Sequence, residues 1–322
     1  MNKENKKIAI GVLAYNVAKY VHNVIDELQD LNLHIYIIND SSSDDTKKKL
    51  EVYKENTNIT VISNSQNLGA GYSLKKLIKA ANKDGFGFLI KVDGDGQFKT
   101  EDVKKIVKLY KENEYELIRC NRFWSKGIEG NIPRKRLFGN LVATIMLQVI
   151  CGTNKVYDPL NGLFGIATKV TSELDVKYYP KRYGYPFFFS ALAIIKEYKT
   201  YQLNNIVVYE EQDSNLSPLR VLLTLIKLFF KFYYLKIKQK QNIGSLQRSA
   251  LFDKVSLFFI ANSIVLSVFM IYELVFDLTF ARILTLIILN LFFLLAASFF
   301  FISGYKDERS YRESYITSEN IN

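Results

Sequence analysis

The sequence predicts an α/β fold with a mainly parallel sheet, followed by helices that associate with a membrane. In the first 215 residues, short apolar runs of strand length alternate with helix-like segments, which is typical of a parallel sheet covered by helices. Two long apolar runs follow near the C-terminus. A chain of 322 residues is long enough for one full domain and an appendage.

Five short runs have the composition of buried strands: residues 8–13, 35–38, 59–62, 88–92 and 117–120. Segments such as 17–28 and 74–81 lie between them and have the pattern of helices. In sheets of this kind, ligands bind beside the carboxyl ends of the strands. The residues that follow each predicted strand are therefore the first candidates for a functional site.

Two carboxylates follow the fourth predicted strand, in the segment Asp93-Gly94-Asp95-Gly96-Gln97. Carboxylates this close together can hold Mg²⁺ or Mn²⁺ beside a substrate phosphate, because such ions prefer oxygen ligands. An ordinary turn has the same Asp and Gly composition. The segment predicts a metal–diphosphate site, with a turn as the alternative.

Polar residues also follow the first three predicted strands. Each of these segments is open to interpretation as a turn with a helix N-cap, which suits Ser43 and Asp44 best. Gly69 and Gly71 begin a predicted helix, and its N-terminal amides are candidates for phosphate contact. The three segments contain Ala14-Tyr15-Asn16, Asn39-Asp40 and Asn67-Leu68-Gly69.

Composition argues against several other kinds of site. The two histidines, His22 and His34, leave little scope for zinc or imidazole chemistry, and Cys120 and Cys151 lack metal-ligand spacing. The net charge of +11 is compatible with nucleic acid, anionic lipid or a solvated basic surface. Basic residues concentrate beside the long apolar runs rather than among exposed aromatics, so no nucleic-acid partner is expected.

The C-terminal part predicts a membrane anchor. Residues 255–276 and 283–302 each have about the 20 apolar residues that a helix needs to cross a bilayer. A buried hairpin of a soluble protein is the alternative. Lysine and arginine gather before the first run and after the second, so the positive-inside rule places the catalytic part and the C-terminus in the cytosol. The N-terminus lacks the pattern of a signal peptide.

These features divide the chain into a catalytic domain at 1–215, an amphipathic juxtamembrane region at 216–250, a transmembrane hairpin at 251–305 and a cytosolic polar tail at 306–322. Residues 219–240 interleave basic with apolar side chains, as in a helix at an anionic membrane interface or packed on the protein. Asn262 and Asn290 lie inside the apolar runs, where amides usually make helix packing or oligomer contacts.

In their order, the motifs resemble those of family 2 glycosyltransferases of GT-A fold, and more closely those of the polyprenyl-phosphate branch. The resemblance covers about residues 7–218. The family's Pro-Ala-Tyr-Asn, Asp-Asp-Gly-Ser and Asn-x-Gly are similar to Leu13-Ala14-Tyr15-Asn16, Asn39-Asp40-Ser41-Ser42 and Asn67-Leu68-Gly69. Its Asp-x-Asp-x-Gln, Gly-Ser-Arg-Tyr/Phe and Asp-Pro-x-Ser/Asn-Gly are similar to Asp93 to Gln97, Cys120-Asn121-Arg122-Phe123 and Asp158-Pro159-Leu160-Asn161-Gly162.

The resemblance implies a membrane-bound enzyme that transfers a sugar, with inversion, from a UDP- or GDP-linked donor to a polyprenyl phosphate. It implies that Mg²⁺ or Mn²⁺ is held by Asp93, Asp95 and Gln97, and that the catalytic residues are Asp93, Asp95, Asp158 and Arg122. Three roles are open for Asp158: it positions the acceptor, it acts as a base, or it only forms a turn before Pro159. The implied donor contacts are Ala14, Tyr15, Asn16, Asp40, Asn67 and Gly69.

The acceptor phosphate requires fixed cations, and guanidinium groups form bidentate contacts with phosphate. Arg122 is the first candidate. Arg136 and Asn140 lie four residues apart on a predicted helix and share one face, while Arg134 or Lys135 replaces Arg136 if the register shifts. Any of these basic residues is also open to interpretation as a surface charge.

The sequence departs from the family pattern at three places. Asn39 stands where the family has Asp, Ser41 stands where it has Gly, and residues 209–215 lack the Arg and Ser-Lys that hold the donor diphosphate in many relatives. Two other functions stay open: a glycosyltransferase with another membrane acceptor, such as diacylglycerol or a lipid-linked glycan, and a non-catalytic membrane scaffold. A homo-oligomer is compatible with each of these functions.

Overall fold

The computed structural model describes residues 7–123, 128–129, 134–208, 218–275 and 280–318. The chain divides into two compact units, Met1–Phe230 together with Tyr315–Asn322, and Lys231–Ser314. This division differs from the expected boundary at residue 215, because the first part of a long helix groups with the first unit.

The first unit contains an eight-stranded sheet with the order β10-β8-β5-β7-β4-β1-β2-β3 and a separate pair of strands, β6 and β9. The strands are β1 (Ile8–Ala14), β2 (His34–Asn39), β3 (Ile59–Ser63), β4 (Phe88–Asp93), β5 (Leu117–Asn121), β6 (Ile128–Glu129), β7 (Phe164–Ala167), β8 (Thr200–Asn204), β9 (Val207–Val208) and β10 (Ile316–Ser318). Its helices are α1 (Val21–Gln29), α2 (Thr46–Leu50), α3 (Ala70–Lys83), α4 (Thr100–Asn113), α5 (Arg134–Cys151) and α6 (Tyr185–Ile195).

The central strands are continuous apolar runs because both faces of the sheet are covered. All seven residues of β1 are buried. Helix α1 buries Val21, Ile25 and Leu28, which recur at helical spacing and belong to the same core cluster as residues of the central strands. Helix α3 buries Leu74, Leu77, Ile78 and Ala81 in the same way.

Strand β7 is the antiparallel exception, and its position matters for the site. It pairs with both β4 and β5, whereas β1 pairs in parallel with β2 and β4, and β5 with β8. An antiparallel strand begins at the edge where its parallel neighbours end. The segment that precedes β7 therefore lies beside the ends of β4 and β5.

The second unit consists of the end of α7 (Pro218–Asn242) together with α8 (Gln247–Val275) and all of α9 (Phe280–Glu313). Residues Gly244–Tyr272 and Arg282–Glu313 are long and apolar enough to cross a membrane, and only 11% and 6% of their most apolar windows are buried. Such exposure is not typical of a buried hairpin in a soluble core, so it favours membrane spans.

The helices are longer than the apolar runs from which they were predicted. Helix α9 continues to Glu313, and Ile316–Ser318 forms β10, which pairs in parallel with β8. The expected polar tail at 306–322 is therefore helix and strand through Ser318. Inside the hairpin, Asn290 donates to Ser267 at 2.8 Å and also contacts Ser263, whereas Asn262 donates to the Phe258 carbonyl of its own helix at 2.8 Å.

Candidate active site

Three of the predicted segments meet at the carboxyl edge of the sheet. The register pairs Leu13 with Asp93 and Ala14 with Asn39, so the ends of β4, β1 and β2 are adjacent. The amide of Gly94 also donates to the Leu13 carbonyl at 2.9 Å. The candidate donor and metal residues thus share one edge, as the sequence predicts.

The loops after β1 and β2 hold each other through side-chain contacts to backbone. The Asn16 amide donates to Ser42 Oγ at 3.1 Å, and the Ser43 amide donates to Asn16 Oδ1 at 2.8 Å. Asn39 Oδ1 accepts from the Ser42 amide at 3.0 Å. Asn39 therefore stabilises its own loop with an amide oxygen, while Tyr15 remains 44% exposed at the edge.

The carboxylate of Asp40 points into the protein rather than toward solvent. It is 5% exposed and accepts from the amides of Leu68 and Gly69, at 3.0 and 2.8 Å, and from Asn64 Nδ2 at 2.7 Å. These bonds tie the loop before α3 to the end of β2. The structure thus gives Asp40 a contact with the Asn67-Leu68-Gly69 loop, whereas the sequence suggested a direct donor contact.

The N-terminal amides of α3 are already used by the protein. Gly71 and Tyr72 donate to the carbonyls of Arg182 and Lys181, at 3.0 and 2.7 Å. The glycines permit this approach, because a Cβ on Gly69 would lie 2.5 Å from Arg182 Cγ and one on Gly71 2.0 Å from the Pro180 carbonyl. The sequence predicts that the amides at the start of α3 face a phosphate. For Gly71 and Tyr72 this prediction is wrong, because both amides already donate to carbonyls of the protein.

The segment before α6 brings an additional cation to this loop. The Arg182 guanidinium donates to Asn67 Oδ1 at 2.9 Å. Sequence patterns could not reveal this pair, since 115 residues separate the two positions and neither a motif nor a periodicity joins them. Arg182 is therefore a candidate for the donor side that the sequence interpretation missed.

The metal motif forms a turn whose two carboxylates have different surroundings. The Gln97 amide donates to Asp95 Oδ1 at 3.2 Å, which is the side-chain turn expected of Asp in this position. Burial and the nearby Asp93 carboxylate together raise the pKa of Asp95 to about 6. Asp93 instead forms an ion pair with Lys91, whose Nζ lies 2.6 Å from Asp93 Oδ2.

Lys91 is the second residue that the sequence interpretation missed. It lies within the apolar run of β4, and its side chain is completely buried beside the Tyr185 ring. Burial alone would lower the pKa of the Lys91 ammonium, but Asp93 and Tyr185 outweigh it and raise that pKa. A lysine two residues before the first aspartate is the available signal, because residues i and i+2 of a strand face the same side.

The predicted acceptor residues converge on Asp158. Arg122 forms a bidentate pair with it, Nε to Oδ2 at 2.9 Å and one Nη to Oδ1 at 3.0 Å, and the Arg122 amide donates to Oδ2 at 3.0 Å. Asn140 Nδ2 donates to Oδ1 at 2.7 Å, and Asn161 Nδ2 to Oδ2 at 3.1 Å. Asp158 is buried and both of its carboxylate oxygens accept hydrogen bonds from these groups, so the carboxylate holds the Arg122, Asn140 and Asn161 side chains in place.

A tight turn joins this cluster to the metal motif. The Asn161 amide donates to the Asp158 carbonyl at 3.2 Å, with Pro159 at the second position of the turn. The next residue, Gly162, packs so closely that a Cβ there would lie 2.5 Å from Asp93 Oδ2. One short segment therefore contacts both the predicted acceptor residues and the predicted metal residues.

Arg134 and Arg136 are in the first turn of α5, which also carries Asn140. Their side chains and that of Lys135 lie outside the described part of the structure, so their predicted contact with phosphate stays a prediction. Residues 209–217 also lie outside it.

The donor set fits a divalent cation that is shared with a substrate. Among the described residues, no group of three or more His, Cys, Asp or Glu side chains could hold a metal. Mg²⁺ and Mn²⁺ sites often use one or two carboxylates and take further oxygens from water and substrate phosphates. Asp95, Asp93 and Gln97 would supply the protein ligands, and a cation would offset the repulsion between the two carboxylates.

Comparison with known proteins assigns the family. The family described as Glycosyl transferase family 2 matches residues 9–173, about half of the chain. The chain belongs to glycosyltransferase family 2. Its mainly parallel sheet with helices on both faces is the GT-A fold, and it carries two long apolar helices after that domain.

Relatives of this family 2 glycosyltransferase include the UDP-N-acetylglucosamine–dolichyl-phosphate N-acetylglucosaminyltransferase of Methanococcus voltae. It is 26% identical over 193 residues, which cover 56% of this chain and 76% of that protein. An uncharacterised protein of Methanocaldococcus jannaschii is 27% identical over 149 residues, 45% of this chain and 63% of that protein, which is less than two thirds of its length. The enzyme of Methanococcus voltae supports the resemblance to the polyprenyl-phosphate branch.

Solved structures support the fold. Glucosyl-3-phosphoglycerate synthase of Mycobacterium tuberculosis, in complex with Mn²⁺, UDP and glucosyl-3-phosphoglycerate, has a TM-score of 0.54 and 15% identity, covering 70% of this chain and 80% of that chain. The same enzyme with Mn²⁺, UDP-glucose and phosphoglyceric acid has a TM-score of 0.53. At this identity the likeness concerns the fold alone.

Proposed function

We propose that this glycosyltransferase transfers a sugar, with inversion, from a UDP- or GDP-linked donor to a polyprenyl phosphate at the cytosolic leaflet of a membrane. The observation that carries the proposal is the cluster around Asp158. It fixes a guanidinium and an amide beside the predicted metal motif, on a domain followed by two helices of membrane-spanning length.

On the donor side, Asp95, Asp93 and Gln97 would hold Mg²⁺ or Mn²⁺ against the donor diphosphate. The cation would stabilise the negative charge that grows on the leaving nucleoside diphosphate. The loops at Ala14 to Asn16 and Asn39 to Ser43 line the same edge and would seat the nucleoside. Asp40 acts on the donor indirectly, because its carboxylate positions the loop that contains Asn67 and Gly69.

On the acceptor side, a lipid phosphate is already an anion, so its attack on the sugar requires little deprotonation. It must instead be held near a second polyanion, and this requires fixed cations. Asp158 holds the Arg122 guanidinium in one orientation and aligns Asn140 beside it. Both Asp158 oxygens accept several hydrogen bonds, so we assign it to positioning rather than to proton abstraction.

The order of the segments supports the proposed membrane topology. The residues up to Phe230, which precede the two apolar helices, and the residues from Tyr315 onward, which follow them, both belong to the first compact unit. Two crossings return the chain to the side that it left, which agrees with both flanks being cytosolic. Helix α7 exposes Leu223, Ile226 and Phe230 among basic residues, as expected of a helix that lies on anionic lipid.

The test is transfer of radiolabel from a panel of UDP- and GDP-sugars into undecaprenyl or dolichyl phosphate by purified protein with Mg²⁺ or Mn²⁺. Asp95→Ala is compared with Asp175→Ala, which removes an exposed carboxylate that pairs with Lys75 and Lys79. Labelled lipid that is lost in Asp95→Ala and kept in Asp175→Ala would support the proposal. Metal-dependent donor hydrolysis without labelled lipid would indicate another membrane acceptor, and neither activity would indicate a scaffold.

A further inference from the structure

The buried ion pair in β4 has a position that a structural salt bridge alone does not require. Lys91 is fully buried, and its ammonium lies 2.6 Å from Asp93 Oδ2. Burying an ammonium is costly unless a counter-charge accompanies it. That counter-charge is one of the two carboxylates expected to bind a divalent cation.

The surroundings hold this ion pair in one geometry. The Tyr185 ring centroid lies 5.4 Å from Lys91 Nζ. On the other side, a Cβ on Gly162 would lie 2.5 Å from Asp93 Oδ2 and 3.1 Å from Lys91 Nζ, so the backbone of Gly162 closes over the pair. Asp93 Oδ2 thus faces inward, and a cation would approach this carboxylate from the outer side.

Two cations would then share one carboxylate. A metal ion bound to the outer oxygen of Asp93 would lie within about 7 Å of the Lys91 ammonium, allowing about 2 Å for the width of the carboxylate and about 2 Å for the metal–oxygen bond beyond the 2.6 Å ion pair. Like charges at this separation, in a partly buried site, repel each other substantially. Lys91 therefore opposes binding of a free divalent cation, although it fixes one of the ligands.

The count of charges leads to the same result. Asp93, Asp95 and Lys91 sum to −1, and the described residues contain no group of three or more acidic, His or Cys side chains for a metal. A donor diphosphate would supply both the missing negative charge and the missing oxygens. We infer that Lys91 makes the metal site depend on the donor: the cation binds firmly only together with a nucleotide diphosphate. This inference rests on the function proposed above.

The test measures Mn²⁺ binding, not turnover, from the EPR signal of free Mn²⁺ over purified full-length protein, with and without UDP or GDP. We expect nucleotide to tighten Mn²⁺ binding to the wild type at least about tenfold. Lys91→Met removes the charge at similar length, so Mn²⁺ binding without nucleotide should tighten about tenfold and the effect of nucleotide should shrink. Lys91→Arg keeps the charge and should stay within about threefold of the wild type.

The matched control is Lys79→Met, which removes an exposed ammonium that pairs with Asp175 and should leave Mn²⁺ binding unchanged. Thermal unfolding in the presence of EDTA verifies that each variant is folded, and Lys91→Gln repeats the test if the methionine variant does not fold. A purely structural ion pair predicts weaker Mn²⁺ binding in Lys91→Met, because Asp93 would lose its orientation. Unchanged or weaker binding there, or tighter binding in Lys91→Arg, overturns the inference.

The result also separates this inference from the proposed function. Mn²⁺ binding that is lost in Asp95→Ala, but not tightened by neutralising Lys91, leaves the metal site in place and removes only the inference about Lys91. Mn²⁺ binding that does not depend on Asp95 under any nucleotide condition contradicts the metal site itself, and the inference fails with it.

Discussion

Adding one methyl group at Gly162 would test whether the segment before β7 controls the metal carboxylate. In Gly162→Ala, the new Cβ would lie 2.5 Å from Asp93 Oδ2, whereas carbon and oxygen atoms in contact are normally separated by about 3.3 Å or more. Either Asp93 or the 161–163 backbone must therefore move by roughly 0.8 Å. Lys91 Nζ, at 3.1 Å from the same Cβ, restricts the movement on the inner side.

We expect the free energy of unfolding to fall by about 1–3 kcal/mol, as for other overpacked sites. We expect kcat/KM for sugar transfer to fall about 100-fold, because displacement of a catalytic group by about 1 Å has effects of this size. Gly244→Ala is the matched control, since its Cβ would meet no atom within 4 Å. Transfer within about threefold of wild type by folded Gly162→Ala protein would refute the idea that this contact positions Asp93.

Three further predictions concern other parts of the chain. In Asp158→Asn the partly buried Arg122 guanidinium loses its fully buried counter-charge, so the free energy of unfolding measured by chemical denaturation should fall by about 3–5 kcal/mol, and the KM for lipid acceptor should rise more than that for donor. Burial lowers the pKa of His34 below its ordinary value of 6.5, so its imidazole binds fewer protons in the folded state than in the unfolded state. The raised pKa of Asp95 acts in the opposite direction over the same range, so the test compares the free energies of unfolding of wild type and His34→Phe between about pH 5 and 8: the wild type should lose stability relative to His34→Phe as the pH falls below about 6.5. Asn290→Leu removes the hydrogen bond to Ser267, so the free energy of unfolding in detergent should fall by about 0.6–2 kcal/mol. The oligomeric state should stay unchanged, because the amide is used inside the hairpin.

The central strands could be predicted from the sequence because they are covered on both faces. The runs 8–13, 35–38, 59–62, 88–92 and 117–120 match β1 to β5 to within one residue at each end. Strands β7 and β10 could not be found in this way. Each is three or four residues long, and their pairing with distant strands, rather than local composition, makes them part of the sheet.

The positions of the candidate site residues were predictable, but the directions of their side chains were not. Strand ends in a parallel sheet meet at one edge, so Asp40 and Asp93 were expected near each other. The contact of Asp40 with the Leu68 and Gly69 amides depends on how a later loop packs. The Arg182 contact with Asn67 likewise forms between segments that no local pattern connects.

The turn that begins at Asp158 explains why the donor and acceptor residues belong to one site. A turn closed by a bond from the Asn161 amide to the Asp158 carbonyl keeps these two Cα atoms within about 7 Å. Gly162 is one residue further, at most about 4 Å more along the chain. The residue that fixes Arg122 and the residue that packs on Asp93 are thus about 11 Å apart or less.

This separation suits the proposed reaction. An acceptor phosphate beside Arg122 and a donor diphosphate beside Asp93 would be held by the two ends of the same short turn, with a sugar between them. A shift of the turn would move both ends together, so Gly162→Ala should impair acceptor use as well as metal binding. A variant that lost Mn²⁺ affinity but kept its KM for lipid acceptor would show that the two ends act independently.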